Sequence, residues 1–410
     1  MKAVRWSLIV FLLLFFVLKG VLPSFSHVGT DFANYYTASW IALHARPETA
    51  HLYDQRSFGA IAAGLGGPQE SIFQPFPPPT ALIMTPLAML PMAAAKNIWT
   101  VVSVLAAGAL TFLLRQLGDL DLVTSSLILF GCGWALVNNV YLGQVYLMVL
   151  FCLALSLHFM FRGNDVLAGV LAGLFFPIKY FPLCLVALFV LERRWRSVYA
   201  SVVTSAVVVV ASVLALGWDI HLQFIKGVFT NHLDGAMANP FAPAYQSWNS
   251  LLRNLFLKDP AFNPSPLIDW PMGFPIMRLV VALALLWSLA VGLRNTMSAN
   301  RAIGFRLALL FTFTLLVSPA SASYHMLILA LPAAMMWAEL RGRSDRRARW
   351  ILAGSFFLVG LIPIATVNQI HFQGVWIVFA YPRLILLAMV FAVLVWLSST
   401  RILTAAPEVV

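Results

Sequence analysis

A single carboxylate, Asp31, lies in the segment 29–40, which reads GTDFANYYTASW and follows the first long apolar run of the chain. Neighbouring aromatic side chains partly desolvate a carboxylate, which raises its pKa and makes it a better proton acceptor. Asp31 is therefore a candidate general base. The alternative is a structural role, because Thr30 or Asp31 would suit the N-terminus of the helix predicted over the following residues.

Two further residues suit the binding of an anion. Lys179 lies in FPIKYFP, an apolar stretch in which a lysine is costly unless it reaches water or an anion such as the phosphate of a lipid head group. His325 follows SPASASY where a helix restarts, and its imidazole could donate to an anion or relay a proton. The alternatives are snorkelling for the lysine and a structural role for the histidine.

Polar residues that could bind phosphate or sugar hydroxyls occur in two more segments. Arg253, Gln246 and Asn249 belong to QSWNSLLRNLF, and Arg383 begins the last apolar helix in AYPRL. Both arginines could instead belong to a solvated helix face. Further candidates for sugar or acceptor contacts are Gln144 in the turn NNVYLGQ and the aromatic residues Tyr35, Tyr36, Trp40 and Trp248.

Several familiar types of site are missing from the sequence. There is no P-loop or Rossmann glycine motif, no Ser–His–Asp pattern and no pair of acids in the first loop to hold a divalent cation. The three cysteines, Cys132, Cys152 and Cys184, lie in apolar runs without metal-ligand spacing. We therefore expect neither a metal nor another cofactor.

The composition is that of a polytopic membrane protein. The 410 residues are 61% hydrophobic and 10% charged, whereas soluble domains carry roughly 25% charged residues. The formal net charge is +11, but the placement of the basic residues favours a membrane explanation over nucleic-acid binding. The first apolar run could be a signal peptide. Because no clear cleavage site follows it, we expect a retained first helix.

The apolar runs predict about twelve membrane segments in an all-α fold. The stretch 165–191 is expected to form two short helices that meet at a polar kink, since Pro177 and Pro182 interrupt its backbone hydrogen bonds. The runs lie near 5–22, 94–115, 122–137, 144–161, 165–191, 197–217, 276–293, 304–317, 326–340, 350–367 and 382–399.

The basic residues also predict the orientation. Most of the 26 lysines and arginines fall in one set of loops, which should be cytoplasmic. The opposite side then receives the loops 23–93 and 218–275, the turns 138–144 and 318–325, and the kink at Lys179. We expect one membrane domain over 1–410, with helices of the first loop lying in the membrane interface. The predicted cytoplasmic residues are Lys2, Arg5, Arg115, Arg162, Arg193, Arg194, Arg196, Arg294, Arg301, Arg306, Arg341, Arg343, Arg346, Arg347, Arg349 and Arg401.

Taken together, the motifs resemble glycosyltransferase family 87, the polyprenyl-phosphate-mannose-dependent mannosyltransferases of the GT-C superfamily. Their order and spacing match over roughly residues 30 to 330. The motifs are DFANYYTASW (31–40), HLYD (51–54), FPPPTALIMTPLAMLP (76–91), LGQVYLMVL (142–150), LAGVLAGLFFPIKYFPLCLV (167–186), QSWNSLLRNL (246–255) and SPASASYHMLIL (318–329).

The resemblance implies roles for individual residues. The aspartate after the first helix, here Asp31, would be the general base, and His325 and Lys179 would contact the donor phosphate. The chain departs from the family pattern at Tyr146, where asparagine is common, and in SASYH, which has one histidine instead of two. These departures bear on the identity of the sugar and the acceptor more than on the class of enzyme.

The sequence thus predicts a metal-independent, inverting glycosyltransferase of the plasma membrane with its site facing the periplasm or exterior. Its partners would be a polyprenyl-phosphate sugar, with mannose implied by the resemblance, a lipid or glycan acceptor and the membrane lipids. A different lipid-linked sugar is the nearest alternative. A polyprenyl-phosphate or saccharide transporter and a non-catalytic scaffold of an envelope assembly are the others. A transporter predicts inverted repeats, which we do not find.

Overall fold

A computed structural model describes residues 2–74, 76–233, 239–296, 302–341, 346–367 and 372–399. Within these ranges the chain forms helices and irregular segments, with no strand and one isolated bridge between Asp259 and Asn263. The predicted all-α architecture is confirmed for this part of the chain. Arg301, Arg343 and Arg401 of the predicted cytoplasmic set lie outside the described residues.

The α-helices of the described ranges are numbered in chain order. They are α1 Lys2–Phe16, α2 Leu22–Ser26, α3 Thr30–His44, α4 Gln55–Gly64, α5 Met92–Leu117, α6 Leu122–Phe130, α7 Trp134–Leu142, α8 Tyr146–Phe161, α9 Asp165–Phe175, α10 Pro182–Leu191, α11 Trp195–Leu216, α12 Trp218–Gln223, α13 Phe229–Leu233, α14 Trp248–Phe256, α15 Gly273–Thr296, α16 Ile303–Val317, α17 Ala330–Arg341, α18 Arg346–Leu361, α19 Ile364–Val367 and α20 Pro382–Ser399. Short 3-10 helices cover Arg46–His51, Pro78–Leu82, Leu87–Met89, Ser323–Leu329 and Gly374–Ala380, and π-helical turns cover Val17–Val21 and Phe224–Val228.

Long apolar helices make the chain a polytopic helical membrane protein. Among the described residues five helices are long and apolar enough to cross a membrane, and α6 with α7 adds a sixth if the pair is taken as one bent span. The five are Ala3–Ser26, Met92–Leu117, Trp195–Leu216, Gly273–Thr296 and Pro382–Ser399.

The structure does not support the predicted count of about twelve spans. Several of the apolar runs form helices of 10 to 17 residues, which are shorter than the roughly 20 residues that a straight span requires. The run 165–191 illustrates why a long apolar run need not form one full span, because it divides into α9 and α10 with Lys179 between them. This division is the kink predicted from Pro177 and Pro182.

The helices group into two compact units, Met1–Leu113 with Leu136–Leu233 and Leu114–Ala135 with Asp234–Val410. In the first unit the core surrounds α3, which is buried continuously from Phe32 to Ser39. Whether α3 lies in the membrane interface, as predicted for the first loop, stays a prediction. The predicted single domain, and the positions of the loops 23–93 and 218–275 relative to the membrane, stay predictions.

Residues of the irregular proline-rich stretch cover α3. The 3-10 helices Pro78–Leu82 and Leu87–Met89 pack against it. The backbone N–H of Met84 donates to Ser39 Oγ at 3.1 Å, and that of Ile72 donates to Asn34 Oδ1 at 2.8 Å. Polar side chains of α3 thus satisfy the backbone of the covering segment, which explains how a helix with several polar residues can be buried.

Close packing of α9 on α11 fixes the start of the segment that carries Lys179. A Cβ atom at Gly169 would lie 2.3 Å from the carbonyl oxygen of Ser197, and one at Gly173 would lie 2.4 Å from that of Ser201. The Ser201 hydroxyl donates to the Gly169 carbonyl at 3.0 Å. The two glycines, four residues apart, therefore let the helix backbones approach closely, as in membrane helix pairs of the small-xxx-small type.

In the second unit, α14 is joined to the start of α20 by buried polar groups. Ser247 caps α14 by accepting from the Ser250 N–H at 3.2 Å. The hydroxyls of Ser250 and Tyr381 are 2.8 Å apart, and Asn254 Nδ2 donates to the Tyr381 hydroxyl at 2.9 Å. Tyr381 directly precedes α20, so this network sets where the last helix begins.

Candidate active site

Asp31 lies in the first turn of α3. The N-cap position is occupied by Gly29, whose φ of +75° a residue with a side chain rarely adopts, and no side chain caps the helix. Asp31 is therefore not the capping residue, although it lies at the N-terminus of the helix. A carboxylate in the first turn is stabilised in its charged form by the helix dipole.

A hydrogen bond and two lysines surround the carboxyl group of Asp31. Its side chain hydrogen-bonds to Gln144, and Lys179 and Lys96 act on it electrostatically. Burial raises the pKa of Asp31 above its ordinary value, while the Gln144 hydrogen bond and the two ammonium groups oppose this increase. The side chain keeps part of its surface exposed. The site thus presents a carboxylate with enhanced basicity that remains reachable.

Gln144 connects Asp31 with Tyr35. The Tyr35 hydroxyl donates to Gln144 Oε1 at 2.7 Å, and both side chains are buried. Because Oε1 accepts from the tyrosine, the amide nitrogen is the part of the side chain that can donate to the Asp31 carboxylate. Gln144 was predicted to bind sugar or acceptor. In the structure its polar atoms hold the base in place, and a contact to a sugar stays a prediction.

Three aromatic rings surround the ammonium group of Lys179. Its Nζ lies 4.6 Å from the ring centre of Phe76, 4.8 Å from that of Tyr146 and 5.5 Å from that of Tyr35. The side chain is 9% exposed, so it does not extend into open solvent as a snorkelling lysine would. The rings stabilise the cation by cation–π interactions. Tyr146, where the chain departs from the family pattern, belongs to this enclosure.

Tyr36 is also engaged within the protein. It is buried in α3, and its hydroxyl donates to the backbone carbonyl of Leu90. Burial raises the pKa of this tyrosine. The predicted stacking of Tyr35 and Tyr36 on a sugar stays a prediction, since both rings pack in the core around α3.

Lys96 is a site residue that the sequence analysis missed. It lies on α5, its side chain is 1% exposed, and its Nζ donates to the carbonyls of Val140 at 2.9 Å and Tyr141 at 3.0 Å. In sequence it follows three alanines at the beginning of a long apolar run, where a lysine is usually taken to snorkel. The signal that would have found it is the cost of burying a lysine in an apolar helix.

In the second unit, Gln246 and Arg383 are brought together. Gln246 Oε1 accepts from the backbone N–H of Arg383 at 3.0 Å, and its Nε2 donates to the carbonyls of Pro243 at 2.6 Å and Ala380 at 2.9 Å. Both polar atoms of the Gln246 side chain therefore have protein partners. This side chain fixes the start of α20, and its predicted contact with a sugar stays a prediction.

The guanidinium group of Arg383 is buried but incompletely hydrogen-bonded. The side chain is 1% exposed, and Nη2 donates to the carbonyl of Ile362 at 2.7 Å. Nε and Nη1 have no hydrogen-bond partner among the described residues. Leaving donors of a charged group unpaired in a protein interior is costly, so these two N–H groups are suited to an anionic ligand.

His325 is held in one orientation at the end of the segment SPASASY. Its Nδ1 accepts from the backbone N–H of Ala322 at 3.1 Å, so in the neutral ring the proton is on Nε2. The ring of Tyr324 packs edge-on against it at 4.8 Å. The ring orientation of His325 is thus fixed by the protein, and its contact with a donor phosphate stays a prediction.

Arg253 and Asn249 lie on α14. The guanidinium carbon of Arg253 is 4.7 Å from the ring centre of Phe274, and the side chain is partly buried. Asn249 is buried. The solvated helix face that the sequence left open for Arg253 does not describe this partly buried side chain. The roles of Arg253 and Asn249 as phosphate and sugar ligands stay predictions.

A cavity of about 330 Å³ lies in the first unit among residues that include Arg162, Asp165 and Arg196. It contains none of the predicted site residues, and it lies at the connection between α8 and α9. Among the described residues, no group of three or more His, Cys, Asp and Glu side chains is arranged to hold a metal ion. The candidate chemistry is thus concentrated around Asp31 and around Arg383.

Long apolar helices with a carboxylate and buried lysines define an integral membrane protein with a charged internal site. The model of glycosyltransferase family 87 matches residues 73–319, which is more than half of the chain. The chain therefore belongs to glycosyltransferase family 87 and is a membrane glycosyltransferase, and the resemblance inferred from the motifs is confirmed.

The matched segment covers some of the site residues. It contains Gln144, Lys179 and the residues of QSWNSLLRNLF, whereas Asp31, His325 and Arg383 lie outside it. Neither a curated protein nor a solved structure matches the chain. The family thus establishes the class of reaction, and the roles of individual side chains rest on their geometry.

Proposed function

We propose that the protein transfers mannose from a polyprenyl-phosphate donor to a hydroxyl group of a lipid or glycan acceptor on the extracytoplasmic side of the plasma membrane. Membership of glycosyltransferase family 87 supports this class of reaction, and the resemblance of the motifs to that family suggests the type of donor. The observation that carries the proposal is the constellation around Asp31, a partly exposed carboxylate held by Gln144 beside Lys96 and Lys179. This arrangement suits a general base next to an anionic substrate.

The transfer is a single displacement. Asp31 accepts the proton of the acceptor hydroxyl while the oxygen attacks the anomeric carbon of the sugar. The bond between that carbon and the phosphate oxygen breaks, and its electron pair leaves with polyprenyl phosphate. Attack from the face opposite the leaving group inverts the configuration. Burial favours this role, because it raises the pKa of Asp31 toward that of an effective base near neutral pH.

Cations of the protein stabilise the leaving phosphate in this proposal. Lys179, His325, Arg253 and Arg383 are each proposed as phosphate ligands, and each acts without a metal ion. The support is strongest for Arg383, whose Nε and Nη1 lack partners among the described residues. His325 is supported by the fixed orientation of its ring, and Lys179 by its electrostatic effect on the base.

The membrane location and fold complete the proposal. Basic residues at the loops near α8, α9 and α11 support a cytoplasmic location for that side, so Asp31 would face the periplasm or exterior. A GT-C fold is the architecture that the motif resemblance implies. A transferase for another polyprenyl-phosphate sugar is the nearest competing function, because the same base and cations would serve it. A transporter of polyprenyl phosphate would use the cations without the base.

The first test is sugar transfer by the purified protein in lipid nanodiscs. Radiolabelled polyprenyl-phosphate-mannose and a membrane lipid extract as acceptor should give labelled product with the wild type. Asp31→Asn should lower the rate by about 100- to 10,000-fold, because it removes the proton acceptor. Asp219→Asn, which changes an exposed carboxylate of the same unit, is the matched control and should retain full activity.

The outcomes separate the competing functions. Full activity of a folded Asp31→Asn variant would contradict the assignment of the base. A wild type that is inactive with this donor but active with another polyprenyl-phosphate sugar would favour the nearest alternative. A wild type that binds polyprenyl phosphate and moves it across vesicle membranes, without forming product from any donor, would favour transport.

A further inference from the structure

Lys96 closes the C-terminal end of α7. Its Nζ donates to the carbonyls of Val140 and Tyr141, which belong to the last turn of that helix. These carbonyls lack partners within the helix, and a cation at a helix C-terminus is favoured by the helix dipole. Ser24 donates to the same Val140 carbonyl at 3.0 Å. The lysine thus has a defined position deep in the first unit.

The turn that follows α7 packs directly against Lys96 and α3. Gly143 has φ of +74°, and a Cβ atom there would lie 2.6 Å from Phe32 Cβ and 3.1 Å from Lys96 Nζ. The Gly143 N–H donates to Val140 at 3.2 Å, and the Gln144 N–H donates to Asn139 at 2.8 Å. The contacts of Lys96 therefore fix the backbone from which the Gln144 side chain extends.

That side chain reaches the base. Gln144 hydrogen-bonds to Asp31 and accepts from Tyr35, so a shift of the turn would displace the partner of the carboxylate. The ionisable groups that act on Asp31 from neighbouring elements are Lys96 on α5 and Lys179 between α9 and α10. Lys179 is enclosed by rings, whereas Lys96 is anchored on backbone carbonyls. Lys96 therefore contributes both position and charge.

We propose that Lys96 is a positioning residue for the base: it fixes the turn that presents Gln144 to Asp31, and it adds a cation to the surroundings of the carboxylate. This inference rests on the proposed role of Asp31. Two effects follow from it. Loss of the hydrogen bonds misplaces Gln144, and loss of the charge makes Asp31 harder to deprotonate.

Three substitutions separate these effects. Lys96→Met removes the donor and the charge, Lys96→Gln retains N–H donors without the charge, and Lys96→Arg retains both. Lys19→Met is the control, because Lys19 is an exposed lysine of another membrane helix. Each full-length variant is placed in nanodiscs, its thermal unfolding is measured, and kcat and KM for sugar transfer are determined across pH.

Activity that requires the carboxylate declines as the pH falls through the pKa of Asp31. Removing a nearby cation raises this pKa, so the acidic limb of kcat should move to higher pH in Lys96→Met and Lys96→Gln. The plateau value of kcat should fall further in Lys96→Met, which also lacks the hydrogen-bond donors that hold the turn. The KM for the donor should stay near the wild-type value. Lys96→Arg and Lys19→Met should keep the wild-type limb.

A second readout does not depend on sugar transfer. The infrared difference spectrum between a protein with Asp31 and the same protein with Asp31→Asn reports protonation of this carboxyl group. Its midpoint should be higher in Lys96→Gln than in the wild type. A kcat limb and an infrared midpoint that both stay at wild-type values in the folded Met and Gln variants would overturn the role of Lys96. A wild type that is inactive with polyprenyl-phosphate-mannose, but whose Asp31 midpoint still responds to Lys96→Gln, would overturn the proposed donor and leave the role of Lys96 in place.

Discussion

The side chain of Arg383 illustrates how single residues of this protein combine structure with chemistry. Nη2 donates to the backbone carbonyl of Ile362, while Nε and Nη1 have no hydrogen-bond partner in the part of the chain that the structure describes. A hydrogen bond to a charged group contributes about 1.5–3 kcal/mol, so an anion on these two donors would offset much of the cost of burying the guanidinium. The residue is therefore both an internal anchor and a candidate phosphate ligand.

Replacing Arg383 with lysine should weaken binding of the lipid donor. Lysine keeps the charge but cannot supply the two-pronged donor geometry of a guanidinium. We expect KM for the polyprenyl-phosphate sugar to rise by about tenfold to a hundredfold, with a smaller effect on kcat. Steady-state kinetics in nanodiscs measure this change. Arg294→Lys, an exposed arginine of the same unit, is the matched control. An unchanged KM in a folded Arg383→Lys protein would contradict the assignment.

Individual residues differ in how well the sequence predicted them. Lys179 was found because prolines and aromatic residues on both sides make its position unusual in a membrane segment. Lys96 was missed because a lysine near the start of a long apolar run is ordinary when it faces the membrane interface. The carbonyls that bind Lys96 lie more than forty residues away on α7, so no local sequence pattern predicts that contact.

At the level of elements, the packing of α9 on α11 controls the segment that carries Lys179. Gly169 and Gly173 allow the close approach of the helices, and Ser201 and Ser205 each donate to one of their carbonyls. The chain leaves α9 two residues after Gly173 and reaches Lys179 within the following turn. A change in the separation of these helices would therefore move the lysine relative to α3.

A methyl group at Gly173 should disturb this packing. Because the added Cβ would lie 2.4 Å from the Ser201 carbonyl oxygen, we expect Gly173→Ala to destabilise the protein by about 1–3 kcal/mol and to lower transfer activity. Thermal unfolding in detergent and the transfer assay measure these effects. Gly108→Ala is the control, since that helical glycine has open space around it and should tolerate the change. Equal stability of the two variants would show that α9 and α11 can separate without cost.

The elements also show what patterning can predict. The break between α9 and α10 follows from two prolines and was predicted at the correct place. The burial of α3 was not, because its cover consists of 3-10 turns and irregular chain between Phe73 and Met89. Such segments lack the periodicity from which packing partners are inferred, so the sequence does not predict the cover over α3.

For the whole molecule, the number of spans depends on more than hydropathy. Each apolar run is hydrophobic enough to enter a membrane. Several of them form short helices that are separated by glycine, proline or polar turns. The composition therefore predicted a polytopic membrane protein correctly, whereas the count of about twelve spans finds no support among the described residues. The all-α fold class could be predicted from the sequence. The lengths of the helices could not, because hydropathy does not detect the breaks between them.

The predicted orientation can be tested within the first unit. Glu48 lies in the first predicted extracytoplasmic loop, and Arg196 is one of the predicted cytoplasmic residues; both side chains are exposed. The variants Glu48→Cys and Arg196→Cys therefore each place a thiol on one predicted side. In a background without Cys132, Cys152 and Cys184, a membrane-impermeant maleimide applied to intact spheroplasts should label position 48 and leave position 196 unlabelled. Permeabilised cells, in which both should react, are the control. The reverse pattern would place Asp31 on the cytoplasmic side and exclude the proposed topology.

The tight turn at Gly143 has a consequence for protein engineering. Its backbone conformation and the contacts of Phe32 and Lys96 leave no room for a side chain. A mutant library intended to change which acceptor is glycosylated should keep this codon fixed, since diversity there would mostly produce misfolded or inactive clones. Variation is better directed to exposed positions of the first unit, where a new side chain does not move the turn that presents Gln144.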